Sequence, residues 1–560
     1  MIDPQPPHEE AAELAEVNRR PFAQRLGYYA KKSGPGWLQA AITLGGGSLA
    51  GAMYLGVFMG YNLMWLQPLA MILGVVMLSA IAYVTLTTGE RPFHAIKTHV
   101  SPVLAWAWLA ATLMANIVWC MPQFSLGTAA VQQNIFGMES GGMGSTVAIC
   151  TVLLVTAFAV NYFYEAGVKG IAVFELILKI MVGIVVLSFF GVVGVLTVKG
   201  ALDWGAIFRG FVPNPKLLSD AAPTFLPFIE ATGEAAGFWR EKMARDQLDI
   251  MMTAFGTAVG INMTFLLPYS MLRKKWGRDH RQLAIFDLSI GLILPFVLAT
   301  GCVVIAAASQ FHTKFDDVLS ADGQVVSAMA KDFHEILDDR IEHGVGTEAF
   351  EALSAEELAA ARAAAPQADR ELAAMLTKRN NFQLANALTP LAGEVVSQKL
   401  FGIGVFGMAL STIIILMLIN GFTFCEMFGR PGDRRVHFAG CLVAGVAGFL
   451  GPIYIWQNAG PKLAVPTSVI GGSLIPIAYF TFFLLMNSRK TLGDKMPRGG
   501  MRIWWNTIMA VATTFATLGT VKVLLSKGTM GAVGIGILAA LFLLGLIGFL
   551  ANERKHGASQ

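Results

Sequence analysis

Twelve apolar stretches, each long enough to cross a bilayer, run through this chain of 560 residues and leave room for little else. A spanning helix needs about 20 predominantly apolar residues. Candidates lie near 35–60, 64–88, 103–133, 145–164, 171–198, 247–272, 283–309, 399–427, 436–455, 463–487, 503–525 and 530–551. Lipid offers no partner for backbone N–H and C=O groups, so continuous apolar runs of this length must be helices. Composition agrees. Only 14% of residues are charged, against roughly a quarter in soluble domains, and mean hydropathy is +0.58. A net charge of +4 gives no reason to expect nucleic acid as a partner.

The charges between the stretches test the count. Lys31, Lys32, Arg91, Lys97, Lys169, the Arg273–Arg281 cluster, Arg430–Arg435, Arg489–Arg502, Arg554 and Lys555 all fall on one side if the number of spans is even. Short loops such as 134–144 carry no Lys or Arg. By the positive-inside rule both termini are then cytoplasmic, and the expected location is the plasma (inner) membrane of a bacterium. Residues 1–33 form a polar cytoplasmic segment with no apolar signal ahead of a cleavage site, so targeting is expected from the helices themselves. Spans 1–7 occupy 34–309, spans 8–12 occupy 399–551, and 552–560 is a cytoplasmic tail. Two longer segments lie outside. One is 199–246, with an amphipathic run from Phe228 to Lys242. The other is the Ala- and Glu-rich 310–398, expected as a small helical insertion. Within it Ser354 and Glu357 read as a capping box opening a helix that Pro366 interrupts. Its His334, Asp338 and His343 fit an acidic, solvated helix face better than a metal site. The five cysteines, Cys120, Cys150, Cys302, Cys425 and Cys441, sit in apolar stretches without metal-binding or redox spacing, as packing residues do.

Two spans carry breaks. The first contains Gly45-Gly46-Gly47-Ser48 in mid-membrane, where each glycine costs a helix about 1 kcal/mol relative to alanine. Unpaired backbone at that depth survives only where it is buried in protein or lines a cavity, as at the substrate sites of many secondary transporters. Close helix packing through small residues is the competing explanation. In the sixth span Gly260-Ile-Asn-Met-Thr-Phe265 places Asn262 and Thr264 in mid-membrane, and Pro268 removes a donor. These polar groups could equally bond neighbouring helices. Interruptions at spans one and six suit an inverted five-helix repeat.

Several further pieces resemble the Nramp family of divalent metal transporters, the natural resistance-associated macrophage proteins. They are Gly34-Pro-Gly36, Phe58–Trp65, Gly127–Gly137, Asp203–Pro213, Pro476 and Asn487–Gly493, spread over about 34–496 and interrupted at 313–396. The resemblance implies an all-α integral membrane fold: two inverted five-helix repeats (LeuT-like), two C-terminal helices, and broken helices 1 and 6. It does not carry over the family's chemistry. The Asp-Pro-Gly-Asn motif of the first helix falls on Gly45 to Ser48, so the metal-binding aspartate is Gly45. The Met-Pro-His motif of the sixth falls on Thr264-Phe265-Leu266, and a slip of one residue brings in Met263 instead. The acidic positions of the third helix that are linked to proton movement fall on Met121 and Phe124, and the glutamine of the tenth falls on Ser468.

Without a carboxylate, a dehydrated dication has no evident anionic partner here. A hydrated ion such as magnesium, held by oxygens around its shell, remains open. The expected substrate-binding set is Gly45, Gly46, Gly47, Ser48, Asn262, Met263, Thr264 and Ser468, with no metal ligand assigned and no cofactor. Three readings follow: a divalent-metal carrier working by alternating access, a carrier of a non-metal small solute on the same scaffold, and a transport-inactive sensor or structural membrane protein. No HExxH or other catalytic spacing suggests an enzyme. Of the remaining intramembrane polar groups, Glu175 and Lys179 are spaced for an ion pair. Glu426 and Asp287 are expected near the interface, and Asn116 and Gln123 are expected to line a pathway or join helices.

Overall fold

The computed structural model describes residues 8–138, 142–320, 323–326, 329–455, 464–525 and 527–558. Among them eleven helices are long and apolar enough to cross a membrane. A twelfth span is a pair of half-helices, Pro35–Thr43 (α1) and Gly46–Met59 (α2), bent by 56° at their junction. The number and order agree with the hydropathy reading, apart from the start of the tenth stretch near 463, which lies outside the described residues. The last two spans, Gly500–Leu525 and Gly528–Arg554, bury only 28% and 11% of their apolar windows, so they lie at the periphery.

The break in span 1 has a local cause. Leu44 leaves the helical region at φ −79°, ψ 72°, Gly45 is extended, and α2 restarts at Gly46. The site is also crowded: a Cβ on Gly45 would lie 2.5 Å from Thr412 Oγ1, and one on Gly46 would lie 3.1 Å from Gln123 Oε1. Glycine therefore serves both the break and the close approach. In span 6, Ala236–Ala258 (α3) ends at an extended Val259 and Ile261–Arg273 (α4) follows Gly260. The interruption thus falls just ahead of the segment marked by Asn262 and Thr264. A β-branched residue next to glycine yields there more readily than the turns that follow. Pro268 sits inside α4 without ending it. Helix α3 also starts eleven residues before the expected span, absorbing part of 199–246.

Spans 1 and 6 face one another inside a ring of neighbours, with α2 along span 7 (Arg278–Phe311) and span 3 (Pro102–Ile135) along span 8 (Val395–Met427). At one end of the bundle the basic loops gather with both chain ends. Tyr83 donates to Lys495 O, Ser488 to Glu553, and Asn552 to Val100 O, while Asn18 of the N-terminal segment donates to Asp279 O.

The insertion lies at the opposite end as a set of short helices from Ala330–Val345 to Asn381–Ala392. Ser354 and Glu357 form the expected reciprocal cap, and Pro366 turns the chain into the next helix. The insertion rests on α3 through Lys242–Asp339 at 2.8 Å and Trp239 Nε1–Asp369 at 2.7 Å. Asp338 is engaged by Arg362 at 2.7 Å.

Three charge assignments differ from expectation. Glu175 binds Lys274 rather than Lys179, with both carboxylate oxygens within 2.9 Å of the ammonium, and Lys179 donates to Ser33 O at 2.6 Å. Glu426 is buried and paired with Arg91 at 2.7 Å. Asp287 is buried too, and accepts from Gly34 N at 3.1 Å and Gly36 N at 2.7 Å, capping α1 from span 7. In each case the partner comes from another part of the chain: the connection after span 6 for Glu175, the connection after span 2 for Glu426, and the start of span 1 for Asp287. Spacing along a single helix does not show it.

Candidate functional site

The ends of α1, α2, α3 and α4 converge on a cavity of about 40 Å³. That is room for about three water-sized particles. Gly45, Gly47, Ser48, Asn262 and Met263 from the expected set line it. Gly46 stands beside it, its N–H donating to Gln123 Oε1 at 2.8 Å. Thr264 is turned away: its hydroxyl accepts from Trp108 Nε1 at 2.9 Å and donates to Ile261 O at 2.5 Å. Met263 therefore stands in the wall where the gapless alignment would put Thr264. The Ser468 side chain lies outside the described residues, and the next residue inward, Thr467, lines the cavity.

The site is wider than the motif positions. Gln123 and Trp119 enter from span 3, Thr43 from α1, Thr257 from α3, and Thr412 from span 8. Thr412 left a signal that was not used. Ser411-Thr412 is the one polar pair in the apolar run between Lys399 and Asn420. Its hydroxyl lies 3.3–3.5 Å from the carbonyls of Ala41, Ile42 and Leu44 at the C-terminal end of α1. Ser48 donates to Thr43 O and accepts from Gly45 N at 3.1 Å. The Thr43 hydroxyl in turn lies 3.2 Å from Ala258 O and 3.0 Å from Met263 Sδ. No charged side chain lines the cavity among the described residues. Met121 and Phe124 of span 3 pack on span 9, where a Cβ on Gly451 or Gly448 would come within 2.8 Å of them.

Toward the end of the bundle that holds the termini, an aromatic stack closes the way. Phe265 lies 4.6 Å from Tyr269, and Tyr269 lies 5.6 Å from Phe422, ring to ring. Beyond it a second cavity of about 60 Å³ is walled by two ion pairs, Arg91–Glu426 at 2.7 Å and Arg273–Glu165 at 2.6 Å. Two carboxylates thus stand one layer beyond the central cavity, each paired with an arginine.

The sequence matches the family model described as natural resistance-associated macrophage protein-like over residues 36–341 and 359–544. No curated protein matches it. Among solved structures, the manganese transporter of Eremococcus coleocola, bound to an aromatic bis-isothiourea substituted compound, aligns with a TM-score of 0.63. The identity is 15%, over 95% of this chain and 96% of that one. A mutant of the same transporter aligns at 0.61 and 14% identity, over 93% and 94%. At such identities the likeness shows the fold, a LeuT-like pair of inverted five-helix repeats. The family model covers most of the chain, and on that ground the chain belongs to the Nramp family.

Proposed function

We propose that this membrane metal-ion transporter moves a partly hydrated divalent cation by alternating access, with the cavity between α1–α2 and α3–α4 as its central station. The observation that carries the reading is the convergence of two interrupted helices on one small polar cavity in a chain of this family. Neutral oxygens and one thioether line that cavity, and a divalent ion that keeps several waters can be held by such groups through its shell. The positive-inside rule puts the end bearing the termini in the cytoplasm, so the aromatic stack and the two ion pairs form the inner closure. A bacterial plasma membrane is the proposed setting.

Met263 gives the site a bias that can be measured. Its sulfur is a soft donor, which favours manganese or iron over magnesium. Met263→Leu keeps the volume and removes the donor. Manganese uptake into proteoliposomes should then fall about fivefold, roughly 1 kcal/mol, while magnesium uptake holds. Equal losses for both ions would assign Met263 to packing alone. The absence of a lining carboxylate among the described residues also favours a second reading, a non-metal solute. The same assay with small neutral and zwitterionic solutes separates the two: transport of a solute with no divalent flux would replace the metal reading.

A further inference from the structure

We infer that the central cavity binds a small anion, a halide or a single carboxylate group, between the N-terminal ends of α2 and α4. The first N–H groups of any helix lack intrahelical acceptors, and each N-terminus carries roughly half a positive charge. Helices α2 and α4, of 14 and 13 residues, both begin at this cavity. At α2, Gly45 N and Gly46 N are taken by Ser48 and Gln123, but the N–H of Gly47 finds no acceptor among the described residues. At α4, among the described residues, Gly260 N meets only Met263 Sδ at 3.4 Å, and the N–H groups of Ile261 and Asn262 find no acceptor.

A side chain points the same way. Asn262 is 1% exposed and lines the cavity, and its Nδ2 has no partner among the described residues. Buried donors are rarely left open, and each one costs about 1–3 kcal/mol unless something accepts from it. Some carbonyls at the facing helix ends are engaged: Ser48 donates to Thr43 O, while the single hydroxyl protons of Thr412 and Thr43 can each reach one acceptor, an α1 carbonyl and Ala258 O. With the donors above open and no charged side chain in the wall among the described residues, the two helix N-termini favour negative charge in the cavity. Its size admits one halide with a water or two, or one carboxylate head.

An anion here would also supply the charge that Gly45 withholds from a dication. This metal-linked half rests on the function proposed above, and the anion site itself does not. The test uses the purified full-length protein in a buffer whose anion is gluconate, which is too large for the cavity. Chloride and acetate are titrated separately without metal, chloride by ³⁵Cl line broadening and acetate by calorimetry. Saturable binding of either supports the site, and which one binds tells halide from carboxylate. Manganese titrations in chloride, acetate and gluconate then test the linkage, with affinity expected to rise at least about tenfold in the binding anion. Asn262→Asp, isosteric but an acceptor with the same sign of charge as the anion, should weaken anion binding at least about tenfold and remove the anion dependence of manganese binding. If that variant does not fold, Asn262→Leu removes the donor alone and should weaken anion binding in the same direction. Anion binding without any metal binding would sustain the site and sink the metal reading. No binding of chloride or acetate to the folded protein, or binding unchanged by both Asn262 variants, overturns the inference.

Discussion

Asp287→Ala should release the first half-helix and open the cavity toward the end of the bundle that bears the termini. The carboxylate is buried and accepts from the N–H groups of Gly34 and Gly36 at the N-terminus of α1. The same short segment is gripped elsewhere. Lys179 donates to Ser33 O at 2.6 Å, and Lys274 binds Glu175, whose carboxylate fills the space where a Cβ on Gly34 would stand. A Cβ on Gly36 would meet the Asp287 carbonyl at 2.2 Å, so the two backbones are already in contact. Removing the carboxylate strands two buried donors, at about 1–3 kcal/mol each. A net cost of about 3 kcal/mol to the closed form shifts its ratio to the open form by about a hundredfold. Thiol labelling of Ser48→Cys from that side reads the shift directly, and the rate should rise steeply in the alanine variant. Asp287→Asn, which keeps one acceptor, should fall between. Unchanged labelling with unchanged thermal stability would mean that Asp287 does not hold α1 closed.

The second large effect is expected in the insertion. Arg379 is fully buried and donates to the carbonyls of Met375, Thr377 and Lys314 and to both oxygens of Asp317, at 2.7–3.2 Å. One guanidinium therefore ties the chain entering the insertion to the chain leaving it. Its carbon also lies 5.4 Å from the Phe311 ring centre, at the end of span 7. Removing one partner of a buried pair costs about 3–5 kcal/mol. Asp317 is 29% exposed, so the lower figure applies. In Arg379→Met the helices from Ala330 to Ala392 should become sensitive to protease while the spans stay intact, because the spans pack on one another. Lysine should rescue only in part, since an ammonium cannot reach the carbonyls and the carboxylate together. Wild-type protease resistance in Arg379→Met would contradict this role.

The spans were legible because apolar length is a property of contiguous sequence, and so was the break at Gly45–Gly47. The sixth break was legible to within a few residues only: polar Asn262 and Thr264 drew the eye, while the chain gives way at Val259–Gly260. The neutral ring of the cavity was half visible. Gly45, Gly47, Ser48, Asn262 and Met263 came from the two broken spans, whereas Thr412 arrives from a helix almost 370 residues along the chain. The partners of Glu175, Glu426 and Asp287 were hidden for the same reason. Each is chosen by how spans pack, and a rule for neighbours one turn apart sees only its own helix. Thr264 shows the limit of a motif alignment. A register that slips by one residue turns a helical side chain by about 100°.

The most direct test is calorimetric titration of manganese into the wild-type protein and into Gly45→Asp. A Cβ at Gly45 would lie 2.5 Å from Thr412 Oγ1 and 3.1 Å from its Cγ2, both on the cavity wall, so the new carboxylate enters the cavity only once the Thr412 side chain shifts as a whole. The account predicts one weak manganese site per chain in the wild type and at least about tenfold tighter binding in the variant, about 1.4 kcal/mol. No divalent binding in the wild type, together with no gain in a folded Gly45→Asp, would contradict a metal path through the broken helices.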